Sequence, residues 1–214
     1  MGLARFIWKV ATFPVRLVWR LAFGTAAERQ GRRAELEVKA FLEGRGIPCL
    51  HDVYVRHGNG VWTQIDLLAN LGDAVCSVEV KSHRGKVSVD ADAASWEVEY
   101  MGGRREKMSN PIRQNAGHLK ALGGFLGKAG RRAPLSGAVV FTDAELSTGM
   151  FGLGRLPECV FRGMPDLRPG IAREDVSKAW EALSDHDASM DKDSVRKEHL
   201  AGVKRLRKGG FGPR

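Results

Sequence analysis

"CSVEVKSHRG", residues 76–85, sets an acid and an amine two positions apart inside a run of small and β-branched residues. Side chains two apart on a strand point the same way. Glu79 and Lys81 therefore share a face, and Cys76, Val78 and Val80 share the other. The preceding run, "VWTQIDLLANL" (61–71), places Gln64 and Asp66 on one face by the same rule. If the two strands lie side by side, Asp66, Glu79 and Lys81 converge. Two carboxylates and an ammonium on an otherwise apolar sheet are expensive to bury without partners. A divalent cation relieves that cost, and carboxylate oxygens plus water suit Mg²⁺. A bound metal polarises a phosphoryl oxygen and acidifies a coordinated water, which is the chemistry of phosphodiester hydrolysis. Lys81 would orient that water or neutralise charge growing on the phosphate. Taken alone, E-x-K on a strand reads as an ordinary surface ion pair worth under about 1 kcal/mol.

Outward from this pair the chain alternates helix and strand signals. Residues 27–45 read as a helix with Ala34, Val38, Phe41 and Leu42 on its apolar stripe. Glu35 and Glu37 flank that stripe on opposite edges. "CLHDVYVRH" (49–57) alternates and stops at Gly-Asn-Gly, a hairpin signal. After "AVCSVEVKSH", Arg84-Gly85 turns into "KVSVD". Residues 91–109 give no clear period; Trp96 and Tyr100 are core candidates, and "GGRREK" (102–107) reads as a flexible basic loop. Asn110-Pro111 starts a helix to 128, with Ile112, Leu119, Leu122 and Leu126 inward and Gln114 and His118 on one face. A buried strand at 136–145 and a helix at 171–184 follow. One helix, three or four strands and further helix make an α+β or α/β pattern.

The 214 residues suit one domain with appendages. Their formal net charge of +9 points to a polyanionic partner, nucleic acid or an anionic lipid surface. Cys49, Cys76 and Cys159 are too far apart for a zinc knuckle or redox motif, so a reducing compartment without a disulfide framework is expected. The six histidines form no metal-binding repeat.

Residues 1–24 form a basic, aromatic amphipathic segment. Arg5, Lys9, Thr12, Arg16 and Arg20 fall on one stripe roughly 80° wide, while Trp8, Trp19 and many aliphatic residues cover the rest. Such a helix, bent at Pro14, fits the interface of a membrane with its cations toward anionic headgroups. Arg5, Trp8, Lys9, Arg16, Trp19 and Arg20 would make that contact. Two other readings fit the same residues: a spanning helix with Lys9 and Arg20 snorkelling, or a helix packed on a protein surface. At the other end, residues 185–214 turn acidic and then basic, and read as a mobile tail.

The order Glu35-x-x-Val38-x-x-x-Leu42, Gln64-Ile65-Asp66, Glu79-Val80-Lys81, Trp96 and Asn110-Pro111-x-x-Gln114 resembles the nuclease-related domain (NERD) of the PD-(D/E)xK nuclease superfamily. The resemblance covers residues 27–145, with 146–184 as an extension carrying a helix. It implies an α/β fold: a restriction-endonuclease-like mixed β-sheet core flanked by helices. It also implies metal-dependent cleavage of nucleic acid, DNA first, with Mg²⁺ or Mn²⁺ and no small-molecule cofactor. Asp66, Glu79 and Glu35 would hold the metal, Lys81 would assist the water, and Gln114 would hold a water or a phosphate. Only the match to Val38 and Leu42 selects Glu35 over Glu37. Ala34 departs from the glycine usual before that glutamate. His83, two residues past Lys81, is either near the phosphate or a solvent-exposed strand end. Arg104, Arg105 and Lys107 are the nucleic-acid candidates; no recognition helix or finger motif is present, so sequence-specific readout is not expected. The combined reading is a nuclease held at the cytoplasmic face of a membrane by residues 1–24. The rivals are a non-catalytic binding module of the same fold, and a membrane-surface protein whose charge serves lipid alone.

Overall fold

The computed structural model describes residues 25–147 and 160–208. Residues 1–24, with the whole proposed membrane segment, lie outside them. The first helix, α1 (Ala26–Glu43), begins at Thr25, whose hydroxyl accepts from Glu28 N–H while the Glu28 carboxylate accepts from Thr25 N–H. This reciprocal capping box satisfies two amides that the helix itself leaves unpaired. Three antiparallel strands follow: β1 (Cys49–Arg56), β2 (Trp62–Asn70) and β3 (Val75–Lys81). A second helix, α2 (Pro111–Lys128), crosses to β7 (Leu135–Phe141), which pairs parallel with β3 from Val75↔Leu135 to Lys81↔Phe141. With β9 (Val160–Arg162) at the edge, the sheet order is β1-β2-β3-β7-β9.

Alternation along β3 divides the core as the sequence predicts. Cys76, Val78 and Val80 pack with Ala34, Val38 and Leu42 of α1. Val75, on the opposite face, packs with Leu122 and Leu126 of α2 and with Val176, Ala179 and Leu183 of α3 (Glu174–Ala188).

The region 85–109, the least legible in the sequence, is a second sheet. It holds β4 (Gly85–Ser88), β5 (Ser95–Glu99) and β6 (Arg105–Ser109), joined by β8 (Ala144–Ser147) in the order β6-β5-β4-β8. The strand expected over 136–145 is thus two strands, parted at Thr142 and Asp143. The β3–β7 and β4–β8 pairs are both parallel, so two neighbouring chain segments run together through both sheets. Gly85 permits the passage: with φ of 136°, a Cβ there would lie 2.4 Å from the Glu99 carbonyl oxygen. Trp96 is buried and stacks on Phe141, with centroids 6.1 Å apart.

Two expectations are corrected here. "GGRREK" is a hairpin, not a flexible loop: Gly102 and Gly103 take positive φ at the turn, and Arg105–Lys107 lie on β6. Arg105 pairs with Glu97 and Glu99 across the ladder, and Arg104 pairs with Glu106 and lies over the Tyr100 ring. The cross-strand acids gave this segment its order.

The tail is likewise not mobile over its first half. Residues Lys192–Lys208 form a helix, α4, docked on β1 and β2. Arg196 bonds the Asp52 carboxylate and, at 3.1 Å, the Tyr54 hydroxyl; Glu198 accepts from the Trp62 indole at 2.9 Å; His199 meets the Trp62 carbonyl at 2.9 Å. These polar anchors carry no apolar period, which is why sequence patterning missed them. Arg196→Ala removes the cationic partner of the buried Asp52 carboxylate and leaves it the Gln64 amide. The partner is partly exposed, so the expected loss is about 1–3 kcal/mol in urea denaturation, with faster proteolysis after residue 190. An unchanged midpoint and cleavage rate would show that this contact does not hold the helix.

Candidate active site

The β2–β3 ladder runs from Asn70↔Val75 to Leu67↔Val78 and there it ends. One residue further, the Val80 amide donates to Asp66 Oδ2 at 2.9 Å. A carboxylate thus replaces the next rung and occupies the fork where the two strands part. Strict alternation also fails here: Ile65 and Leu67, two apart, enter different halves of the core. Opposite them, Asp52 takes φ of 57°, a left-handed conformation that aspartate tolerates better than most residues. Gln64 is therefore not a partner of Asp66; its amide donates to Asp52 Oδ1 at 2.7 Å. The break of period, invisible to a strict two-residue rule, is the physical reason for that correction.

Glu79 and Lys81 do share a face, and that face meets α2. Lys81 Nζ donates to Glu79 Oε1 and, at 3.2 Å, to Gln114 Oε1. His118, one turn beyond Gln114, presents Nδ1 3.5 Å from Glu79 Oε2. Sequence analysis put His118 on the face of Gln114 without giving it a role. Neither Glu79 Oε2 nor His118 Nδ1 has a hydrogen-bond partner, and both are buried. Asn115 fixes the helix between them. Its amide donates to the Ser77 and Ala138 carbonyls at 3.0 and 3.1 Å, and its carbonyl accepts from the Ser77 hydroxyl at 2.6 Å. Gly137 makes room: a Cβ there would lie 2.8 Å from the Asn115 amide nitrogen.

Glu35 enters from α1. Its Oε2 lies 2.8 Å from His51 Nε2, and it adds to the field felt by Asp66, Glu79 and Lys81. Glu37 instead pairs with Arg33 at the surface. Glu35 does not close upon the other two acids. Among the described residues, no three His, Cys, Asp or Glu side chains gather tightly enough to hold a metal ion. Mutual repulsion of the carboxylates and the hydrogen bond to His51 both favour that separation.

The electrostatics follow from burial. Burial pushes the Asp66 carboxyl well above its usual range, and the nearby Glu79 and Glu35 charges push the same way. Burial likewise raises Glu79, against the pull of Lys81. Burial alone would lower Lys81, but Glu79 and Asp66 outweigh it, so the ammonium is held charged. Burial, then the Lys81 charge, push His118 down to about 4, so it is neutral near pH 7. Asp66→Asn tests this balance. A raised carboxyl binds more protons folded than unfolded, so its contribution to stability falls as pH rises above about 4. In EDTA the variant is expected to exceed the parent in stability at pH 7, where ionising the parent carboxyl costs more folded than unfolded. That gap should close toward pH 4. Urea denaturation at the two pH values measures it; a gap that widens on acidification would contradict the reading.

The other expected contacts divide. His83 Nδ1 lies 3.2 Å from the Tyr100 hydroxyl, tying the second sheet to the residue two past Lys81. Arg104 and Arg105 are engaged by glutamates, while Lys107 is exposed on β6. Among the described residues, no helix is long and apolar enough to cross a membrane.

A mixed α/β fold with two carboxylates and a lysine at a strand fork defines a nuclease-like domain. The family model for the nuclease-related domain matches residues 30–142. This chain belongs to that family. No curated protein and no solved structure matches it.

Proposed function

We propose that the chain is a metal-dependent nuclease that hydrolyses phosphodiester bonds of nucleic acid, with DNA as the first substrate to test. One observation carries the reading: the buried Glu79 carboxylate has an unsatisfied oxygen while its other oxygen holds the Lys81 ammonium. The donor chemistry suits a hard cation, since Asp66 and Glu79 offer carboxylate oxygens and Glu79 Oε2, 3.5 Å from His118 Nδ1, accepts no hydrogen bond. When bound there, Mg²⁺ or Mn²⁺ supplies Lewis acidity and a water of lowered pKa.

The chain's own residues supply the rest. Asp66 is oriented by the Val80 amide, and Glu35 adds negative charge from α1. Lys81 remains an ammonium, so its part is to offset charge on the phosphate rather than to take a proton. Gln114 fixes the Lys81 amine through its side-chain carbonyl and acts on the Glu79 carboxylate as well, so it orients both groups. Arg104, Arg105 and Lys107 lend sequence-independent attraction that salt weakens. Residues 1–24 would seat the domain on the cytoplasmic face of an anionic membrane. Flotation of vesicles with the full chain and a chain lacking residues 1–24 tests this seat; equal binding would remove it.

The test of the activity is plasmid nicking by the full chain in Mg²⁺, in EDTA, and by Glu79→Gln in Mg²⁺. Cleavage only by the parent in Mg²⁺ is expected. Equal cleavage by Glu79→Gln would overturn the assignment. A second reading, a non-catalytic nucleic-acid- or protein-binding module, is favoured by the separation of Glu35 from the other acids. Binding of DNA without any nicking would select it.

A further inference from the structure

Where α4 crosses the tip of the β1–β2 hairpin, the two elements enclose a cavity of about 420 Å³. Arg56, Asn59 and Trp62 line it from the hairpin, and Glu198, His199 and Arg205 from the helix. The Arg56 guanidinium lies 4.1 Å over the Trp62 ring, giving a layered pair of flat groups. Glu198 holds both layers: it accepts from the Trp62 indole at 2.9 Å and from Arg56 at 3.4 Å. His199 is oriented by the Trp62 carbonyl at 2.9 Å and set edge-on to Tyr54. Arg205 is exposed at the rim. Two guanidiniums face one carboxylate, so the lining has a single positive charge in excess when His199 is neutral. Gly60 and Gly202, also in the lining, keep the entrance free of side chains.

We propose that this cavity is a nucleotide-binding subsite, taking one nucleotide unit of a nucleic-acid strand. A flat heterocycle is matched by the Trp62–Arg56 layers, and one phosphodiester charge by the excess of one cation. The volume admits one nucleotide and no large macromolecular surface. Asn59 and His199 supply hydrogen-bonding groups that distinguish a base from a plain aromatic ring. Trp62 of this cavity and Asp66 of the candidate active site lie on the same strand, β2. The assignment rests on the nucleic-acid reading above in taking a strand, rather than a free nucleotide, as the source.

The test uses the full chain in EDTA, so that no cleavage occurs. Fluorescein-labelled oligodeoxythymidylate is titrated by anisotropy against the parent, Arg205→Glu and Trp62→Phe. Arg205→Glu is expected to weaken binding by about tenfold or more and Trp62→Phe by less. In parallel, the indole N–H resonance of Trp62, assigned by its loss in Trp62→Phe, is expected to shift on adding oligonucleotide. Among the described residues, Arg205 makes one long contact to the Ala201 carbonyl, so its variant should fold normally, which circular dichroism checks. Thymidine monophosphate separates the sources: if it shifts the Trp62 signal as strongly as the oligonucleotide at equal concentration, the site takes free nucleotide and the strand assignment is overturned. Unchanged anisotropy in Arg205→Glu together with an unmoved Trp62 resonance also overturns it. A nuclease that nicks plasmid normally yet shows those two negatives loses the subsite alone; one that binds but never nicks loses the catalytic reading alone.

Discussion

Lys81→Ala is expected to reduce Mg²⁺-dependent nicking by about 10²–10³-fold, measured under conditions where circular dichroism shows the variant folded. The ammonium is held between Glu79 Oε1 and Gln114 Oε1, and nearby carboxylates keep it charged. A preorganised cation in a water-poor pocket stabilises developing negative charge far better than water does. Deletion removes that stabilisation and leaves the Glu79 carboxylate without its counterion. The parent–variant difference should therefore be mostly in turnover and little in DNA affinity. Lys81→Arg separates charge from shape: a guanidinium keeps the charge but cannot occupy an ammonium's position between two single acceptors. It is expected to recover only part of the rate. Single-turnover nicking with saturating DNA measures both variants. A Lys81→Ala protein that nicks within about threefold of the parent would remove the lysine from the chemistry.

Trp96→Ala is expected to cost about 3–5 kcal/mol, the range for truncating a buried tryptophan. Its ring is almost wholly buried, stacks on Phe141, and packs with Val87, Val98 and Met108 in the core of the second sheet. Because β4 and β8 continue the β3 and β7 segments, the damage should spread toward His83 and Tyr100 beside the candidate site. Urea denaturation followed by near-ultraviolet circular dichroism gives the midpoint. A loss under about 1 kcal/mol would mean that the second sheet tolerates the cavity by collapsing.

Much of the first sheet was legible because its signals are local. Period-two alternation put Val78 and Val80 on one face and Glu79 and Lys81 on the other, and the valine face is the one that packs on Ala34, Val38 and Leu42. Asn110, Pro111 and Gln114 marked the start of α2, where the Asn110 side chain does accept from the Ile112 and Arg113 amides. What failed was whatever depended on irregular backbone or on long-range polar contacts. Asp52 interrupts the alternation that was used to join Gln64 with Asp66. β6 is stabilised by glutamates across the sheet, a pairing that a basic hexapeptide does not reveal by itself. The docking of α4 rests on residues some 140 positions away, such as Asp52 and Tyr54 meeting Arg196. His118 was visible on the same helical face as Gln114, but nothing in its spacing told that it would confront a glutamate.

The Asn115 side chain works as a latch on helical register. It reads two main-chain carbonyls on adjacent strands and one hydroxyl, so the helix can neither slide nor roll by one position without leaving a buried amide stranded. Gln114 and His118 consequently inherit their aim from a neighbour and need not hold the helix in place themselves. An engineer could then exchange either for another polar group, altering what the lysine and the glutamate experience while the scaffold beneath stays put.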